Sequence, residues 1–541
     1  MFVLQTLINK YGRKGALFAC FVDFRRAFDT VLHNALLFKL LDRDIRGPFY
    51  RIIKSMYTNS SLQVKVDNQL SASFTSHIGV RQGDVLSPNL FKLFISDIDN
   101  YFSDSCDPAE IHDVKINCLS YADDIILLSR SANGLRSCLD NHKSFSDDWG
   151  MQVNIKKTKV VIFSKNKYPH LDKFPYGSAH VDVVDNYKYL GVHFSKNGSS
   201  KTAHEQLYKK GLKSYFRLCK TLPTCTNNPN TFLHLFDHIV KPCLLYGSEI
   251  WGIDSNKRLK EATTIETLFR DIPAEKIHMK ACRFTLGVHK YTSLLSLYGE
   301  LGRYPLYLDI IISITKYWLR ILSAPKGSLL QIAYDQVNVL MTNGSKTWLN
   351  YVQHIFHLLN LSHLYESPKS FKPTFIIQKV SANLKIYIRS QWKTKLFDDT
   401  RKNNSNNKLR TYRKFKYIFT FEKYLNIIKD AKSRKALTQF RTSSHSLNIE
   451  KGRHRNIPVG ERTCPHCPES VENEEHFLVT CTKYSEQRKD FFACVNERSK
   501  WFTSLSNNDR FIFIMSNEDP CIIEALAKFI YSSMEIRKTL I

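Results

Sequence analysis

Cys118-Leu-Ser-Tyr-Ala-Asp-Asp-Ile-Ile-Leu-Leu-Ser129 is an apolar run, a tetrad Tyr121 to Asp124, and a second apolar run. Neighbouring side chains on a continuous strand point to opposite faces, so Asp123 and Asp124 serve one site only if the chain turns there. The stretch therefore reads as strand, tight turn, strand, with two carboxylates at the tip and the arm Ile125 to Leu128 buried. Adjacent acids repel one another, and a bound divalent cation stabilises such a pair. The competing reading is a surface turn, where Asp suits the turn geometry. The tetrad alone does not separate the two.

Upstream, Ala16-Leu-Phe-Ala-Cys-Phe-Val-Asp-Phe24 is a dense apolar run with one acid near its end, as in a buried strand delivering a carboxylate. Asp23 would be costly to bury there without a partner, and a metal shared with Asp123 and Asp124 supplies one. A helix is expected over 36–41, and the alternation of Leu62, Val64 and Val66 reads as a hairpin over 61–78. Gly79-Val-Arg-Gln-Gly-Asp-Val-Leu-Ser-Pro88 follows, with Ser87 as N-cap and Pro88 in the first turn of a helix carrying Leu90, Phe91, Phe94, Ile95 and Ile98. Downstream, 135–149 reads as a helix, and Lys156, Lys157 and Lys159 precede a strand at 160–163. Tyr187 to Phe194 reads as one alternating strand, with Leu190, Val192 and Phe194 on one face and Tyr189, Gly191 and His193 on the other.

The chain has 541 residues, 78 Lys and Arg against 50 Asp and Glu, and a net charge of +28. Such a balance favours a polyanionic partner, nucleic acid first. Thirteen scattered cysteines do not look like a secreted disulfide scaffold. No apolar stretch reads as a membrane span or cleaved leader. The expectation is an intracellular, nucleic-acid-facing protein.

Taken in order, these motifs resemble the reverse transcriptase of non-LTR retrotransposons. The resemblance rests on Phe21-Val-Asp-Phe-Arg-Arg-Ala-Phe-Asp29, Gly79 to Pro88, Tyr121-Ala-Asp-Asp124, Asn154-Ile-Lys-Lys-Thr-Lys159 and Tyr189-Leu-Gly-Val192, and continues through Val240 to Gly252, Arg283 to Val288 and Gly299-Glu-Leu-Gly-Arg-Tyr-Pro305. It implies an α+β right-hand polymerase with an antiparallel palm sheet, then a helical thumb. Asp23, Asp123 and Asp124 would hold two Mg²⁺ ions, and Phe28 would be the aromatic gate that excludes a 2′-hydroxyl. Arg81, Gln82 and Gly83 would meet the incoming nucleotide and template beside Tyr121, and Lys157, with Lys156 and Lys159 as neighbours, would donate a proton to pyrophosphate. Tyr189, Leu190 and Gly191 would grip the primer. The implied partners are template RNA, target DNA as primer and deoxynucleoside triphosphates, in nucleus and cytoplasm, without a membrane. Only 22 residues precede Asp23, so the resemblance implies that fingers and an upstream endonuclease are largely missing. The alternative is an inactive remnant that only binds RNA or DNA.

Between Arg401 and Arg455 the chain holds 16 Lys and Arg against 3 acids, interleaved with Tyr412, Phe415, Tyr417, Phe419, Phe421 and Tyr424. This pattern suits a phosphate-binding surface or a solvated linker. Cys464-Pro-His-Cys467, His476 and Cys481 have the spacing of a closed, structural Zn²⁺ site, with His476 on a short helix ending near Thr480 and His466 outside the ligand set. The expected segments are 1–195 palm, 196–310 thumb, 311–455 basic helical connection, 456–490 zinc module and 491–541 helical tail.

Overall fold

The computed structural model describes residues 1–12, 15–58, 60–166, 173–222, 228–252, 263–269, 272–398 and 408–539. Arg401 and Lys402 of the basic stretch lie outside the described residues. The fold is α+β and divides into two compact units, residues 1–203 with 320–350, and 204–319 with 351–541. From residue 204 on, the segments expected as thumb, connection, zinc module and tail lie in the second unit, apart from 320–350.

The first unit is built on β1 (Leu17–Val22), whose six residues are all buried. It lies between β3 (Asp124–Ser129) and β4 (Lys159–Phe163) in a six-stranded sheet. Beside β3 stands β2 (Cys118–Tyr121), and beyond β4 come β6 (Ala179–Val183) and β5 (Lys173–Tyr176), so the order is β5-β6-β4-β1-β3-β2. Continuous apolar sequence in β1 and β3 is what a strand covered on both faces requires. Helix α1 (Phe2–Tyr11) precedes the sheet, and α2 (His33–Asp42), α3 (Gly47–Tyr57), α4 (Ser87–Phe94) and α5 (Ala132–Asp148) complete this unit's core. Ser131 caps α5 by accepting from Gly134 N.

Four local expectations change. The sheet is antiparallel except at β4 and β6, which pair in parallel through Lys159↔Asp182 and Val160↔Val183. The reason is that the second strand of the β5–β6 hairpin docks on β4 and so runs in its direction. Tyr187 to Phe194 is a hairpin, β7 (Asn186–Tyr189) and β8 (Val192–Ser195), rather than one strand. Leu190 and Gly191 adopt φ of 46° and 81°, the paired left-handed conformation of a two-residue turn. Tyr189, Val192 and Phe194 are consequently the buried set. Ser87 is the first residue of α4 and not its cap, because its hydroxyl donates to Arg81 O at 2.5 Å. That helix ends at Phe94, and Ile98 sits in a separate 3-10 turn.

In the second unit, α6 (Pro273–Leu286), α7 (Leu294–Leu301), α8 (Pro373–Leu396), α9 (Ala431–Arg441), α10 (Ser485–Arg498) and α11 (Pro520–Thr539) enclose a large apolar core. The aromatic residues of the basic stretch go into it. Tyr412, Phe415, Phe419 and Tyr424 are all buried, and Tyr417 alone among those six is exposed. Several of the cations turn inward as well. Arg441 donates Nε to Glu300 at 2.9 Å and Nη2 to Glu422 at 2.7 Å, while Lys416 also pairs with Glu422. Arg410 bridges Glu450 at 2.8 Å and Glu474 at 3.0 Å. The rings and part of the cations thus form a core with internal ion pairs, while Lys414, Lys423, Lys429, Lys432 and Lys435 stay exposed.

Gly299-Glu-Leu-Gly302 is explained by the same packing. A Cβ on Gly299 would meet Tyr412 Oη at 2.6 Å, and Gly302, at φ 56°, lies against the Phe421 amide. Only glycine accepts both constraints at the second position.

Candidate active site and metal centre

The register of the sheet brings the first carboxylate to the second. Val22 pairs with Ile125, so Asp23 and Asp124 stand one step further along adjacent strands. Tyr121 pairs with Asp124, leaving Ala122 and Asp123 as a two-residue turn. Ala122 adopts φ 53°, which for a residue with a Cβ costs roughly 1–2 kcal/mol. The expected strand, turn and buried arm are present, with Ile125 to Leu128 at most 1% exposed.

Asp23 is held from behind by the loop before β4. Asn154 N donates to Asp23 O at 2.7 Å, and Asp23 N donates to Thr158 Oγ1 at 3.1 Å. That anchorage selects among the lysines. Lys157 Nζ lies 3.7 Å from Asp23 Oδ2, whereas Lys159 pairs with Asp182 at 2.6 Å and Lys156 is exposed. Asp23 Oδ2 is a buried oxygen without a hydrogen-bond partner. Partial burial, then Asp123, then Asp23 raise Asp124 above the usual carboxylate range. A carboxylate oxygen without a hydrogen bond, amid mutually repelling acids, is the donor set a divalent cation fits.

Tyr187 lies outside the site residues expected from sequence, yet it faces this group. Its ring stacks on Phe21 at 4.6 Å, and burial followed by Asp23 and Asp124 pushes its hydroxyl up to about 12. Placing the turn at Leu190-Gly191, where glycine signals it, would have shown Tyr187 and Tyr189 on a strand leading to the carboxylates. Tyr189 itself is buried against Phe21 at 5.6 Å. Leu190 and Gly191 form the turn.

The remaining sequence candidates lie in the same unit. Phe28 is half-buried and stacks on Phe91 at 4.7 Å, with its carbonyl accepting from Val80 N. Arg81, Gln82 and Gly83 are exposed; Gln82 Nε2 donates to Asp29 Oδ1 at 2.8 Å, and nothing lies within 4 Å of a Cβ built on Gly83. Tyr121 is 66% exposed. His193 is half-buried on β8.

In the second unit, one ligand atom each from Cys464, Cys467, His476 and Cys481 lies within 4.8 Å of the others. The Sγ atoms of Cys464 and Cys481 are 3.8 Å apart, close to the edge of about 3.8 Å for a tetrahedron with Zn–S bonds of about 2.3 Å. His476 Nε2 is buried without a hydrogen bond while Nδ1 sits 3.0 Å from Thr480 Oγ1, so Nε2 is the nitrogen a metal would take, with Thr480 orienting the ring. The expected short helix is a wide turn, His476 to Thr480, closed by Cys481 N donating to His476 O at 2.8 Å. His466 is exposed. Rather than standing as a separate module, this group is packed into the main core through Phe477, which meets Phe440, Tyr484 and Phe529.

Residues 5–194, which span the carboxylate site, match the family model described as reverse transcriptase (RNA-dependent DNA polymerase). This is a reverse transcriptase domain. Relatives of the chain are RNA-directed DNA polymerases of non-LTR retrotransposons. It is 25% identical over 272 residues to that of the mobile element jockey of Drosophila melanogaster, covering 49% of this chain and 29% of the relative. With the probable RNA-directed DNA polymerase of transposon BS of the same fly it shares 30% over 261 residues, 46% and 28% of the two chains. The Pol polyprotein of the retrotransposable element R2 of Popillia japonica is 25% identical over 240 residues, 43% and 38%. The chain thus spans between 28% and 38% of the length of these relatives. Among solved structures, the chain is similar to apo telomerase from Candida tropicalis, with a TM-score of 0.31, 12% identity, and 70% of this chain and 55% of that chain covered. No described helix is long and apolar enough to cross a membrane.

Proposed function

We propose that this chain catalyses RNA-directed DNA synthesis, extending a target-DNA primer on an RNA template with deoxynucleoside triphosphates, as part of a non-LTR retrotransposon. The observation that carries this reading is the register that sets Asp23 beside Asp124 and Asp123, with Asp23 Oδ2 buried, free of hydrogen bonds and facing only the Lys157 ammonium at 3.7 Å.

In this reading Asp23, Asp123 and Asp124 hold Mg²⁺, which supplies charge neutralisation and lowers the pKa of the attacking hydroxyl. The chain's own residues do the positioning on which phosphoryl transfer depends. Lys157 stands beside the carboxylates to give a proton to pyrophosphate. Phe28, braced on Phe91, forms the flat floor under the sugar and excludes a 2′-hydroxyl. Arg81, Gln82 and Gly83, with Tyr121, line the approach of template and nucleotide, while the tight turn Leu190-Gly191 lets the primer backbone come close. Structural Zn²⁺ held by Cys464, Cys467, His476 and Cys481 fastens the core of the second unit.

The test is primer extension on an RNA template with Mg²⁺, comparing the chain with its Asp123→Asn, Asp124→Asn variant. Extension by the parent alone supports the reading. Absence of extension by both, with RNA binding intact, replaces it with a nucleic-acid-binding role.

A further inference from the structure

Helices α10 and α11 pack together in the second unit, with Phe491 stacked on Phe529 at 5.4 Å and Val495 and Ile522 buried. Two cysteines meet where the last turns of α10 come to the start of α11. Cys494 Sγ lies 4.0 Å from Cys521 O. The carbonyl oxygen and the sulfur of one residue hang from the same Cα, so the Cys494 sulfur is within side-chain reach of the Cys521 sulfur. Arg498, one turn beyond Cys494 and on the same face of α10, donates Nη2 to Cys521 Sγ at 3.1 Å.

Asp519 holds both partners in place. Its Oδ1 accepts from Cys521 N at 2.8 Å and from Ile522 N at 3.2 Å, and its Oδ2 lies 3.6 Å from Arg498 Nη1. Among the described residues Cys521 is the one exposed cysteine, and Cys494 is half-buried beside it. Neither belongs to the candidate zinc group, whose sulfurs come from Cys464, Cys467 and Cys481. A cationic donor on an accessible sulfur in the first turn of a helix, next to a second thiol, is the setting of a redox-reactive cysteine.

We propose that Cys494 and Cys521 are a peroxide-responsive dithiol, a reversible modification site that bridges α10 to the first turn of α11. Cys521 attacks one oxygen of hydrogen peroxide. An S–O bond forms, the O–O bond breaks, and the departing hydroxide leaves as water with the thiol's proton. Cys494 then attacks the sulfur of that sulfenic acid, forming the S–S bond and displacing a second water. Two thiols lose two electrons in all, and one peroxide gains them. Arg498 keeps a positive donor on the attacking sulfur, and Asp519 keeps the guanidinium there. The bridge joins residues 27 positions apart, and closing such a loop restricts the unfolded chain, so the oxidised protein melts at a higher temperature.

The test treats the full chain, in zinc-containing buffer, with one equivalent of hydrogen peroxide, then blocks remaining thiols and maps the peptides by mass spectrometry. One disulfide linking the Cys494 and Cys521 peptides is expected, with zinc content unchanged and full reversal by dithiothreitol. Cys494→Ser leaves Cys521 as a sulfenic acid that dimedone traps, and Cys521→Ser abolishes both products. Arg498→Leu slows the reaction by about 10-fold or more, the worth of a charged hydrogen bond. Oxidation confined to Cys464, Cys467 and Cys481 overturns the proposal. So does a parent in which Cys494 and Cys521 both remain open to alkylation, or one whose Cys521 sulfenic acid does not increase in Cys494→Ser.

Discussion

The ammonium of Lys157 stands 3.7 Å from Oδ2 of Asp23, across the gap between the loop before β4 and the end of β1. This separates three lysines that are equivalent in the sequence. Lys159 is tied to Asp182 and Lys156 points to solvent. Lys157→Met should therefore slow primer extension by about 100-fold or more, the usual contribution of a positioned proton donor, while Lys156→Met stays close to the parent. Equal loss in the two variants, in single-turnover assays, rejects the assignment.

Asp124 is held above the usual carboxylate range by burial, Asp123 and Asp23. Because its folded pKa exceeds the unfolded one, the folded chain binds more protons between the two values, and stability falls as pH rises through that window. Above the window the ionised group costs stability. Asp124→Asn should then melt at a higher temperature than the parent at neutral pH without Mg²⁺, with the difference vanishing below the unfolded carboxylate range. Added Mg²⁺ should narrow the gap by stabilising the parent alone. A lower melting temperature for the variant at neutral pH contradicts this electrostatic account.

The cysteine and histidine group predicts one zinc per chain by elemental analysis, absent from Cys464→Ser. Thr480 holds Nδ1 of His476, and Thr480→Val should weaken zinc binding by about 10- to 100-fold, as for other groups that orient metal ligands. Zinc content and affinity equal to the parent's in both variants dismisses the site.

Glu300 is fully buried against Arg441. Removing the cation leaves a carboxylate without its partner, so Arg441→Leu should destabilise the second unit by about 3–5 kcal/mol in urea unfolding. Glu300→Gln with Arg441→Leu together should recover part of that loss. A negligible effect of Arg441→Leu would mean the pair is dispensable.

The two strands around Tyr121 to Asp124 were legible from sequence because an apolar run, a turn and another apolar run allow few alternatives. The hairpin at Tyr187 to Phe194 was not, since strict alternation continues through a two-residue turn. Gly191 is the one local signal of the reversal, and the left-handed φ of Leu190 and Gly191 with the antiparallel register establishes it. The basic aromatic stretch was legible only in part for a related reason. Rings and cations on the sequence look alike whether they face a polyanion or, as for Phe415 and Arg441, one another beside a buried Glu300.

The sequence by itself determined the local elements and the chemistry available: three acids near strand ends, a soft-ligand spacing, a strongly basic chain. Periodicity and residue type set these within a few positions of each other. The tertiary structure alone decided that Asp23 meets Asp124, that Lys157 is the lysine beside them, that Cys481 closes on Cys464, and that Cys494 reaches Cys521. Those pairings join residues 17 to more than 130 positions apart. Strand register and helix packing, which no local pattern contains, bring them together.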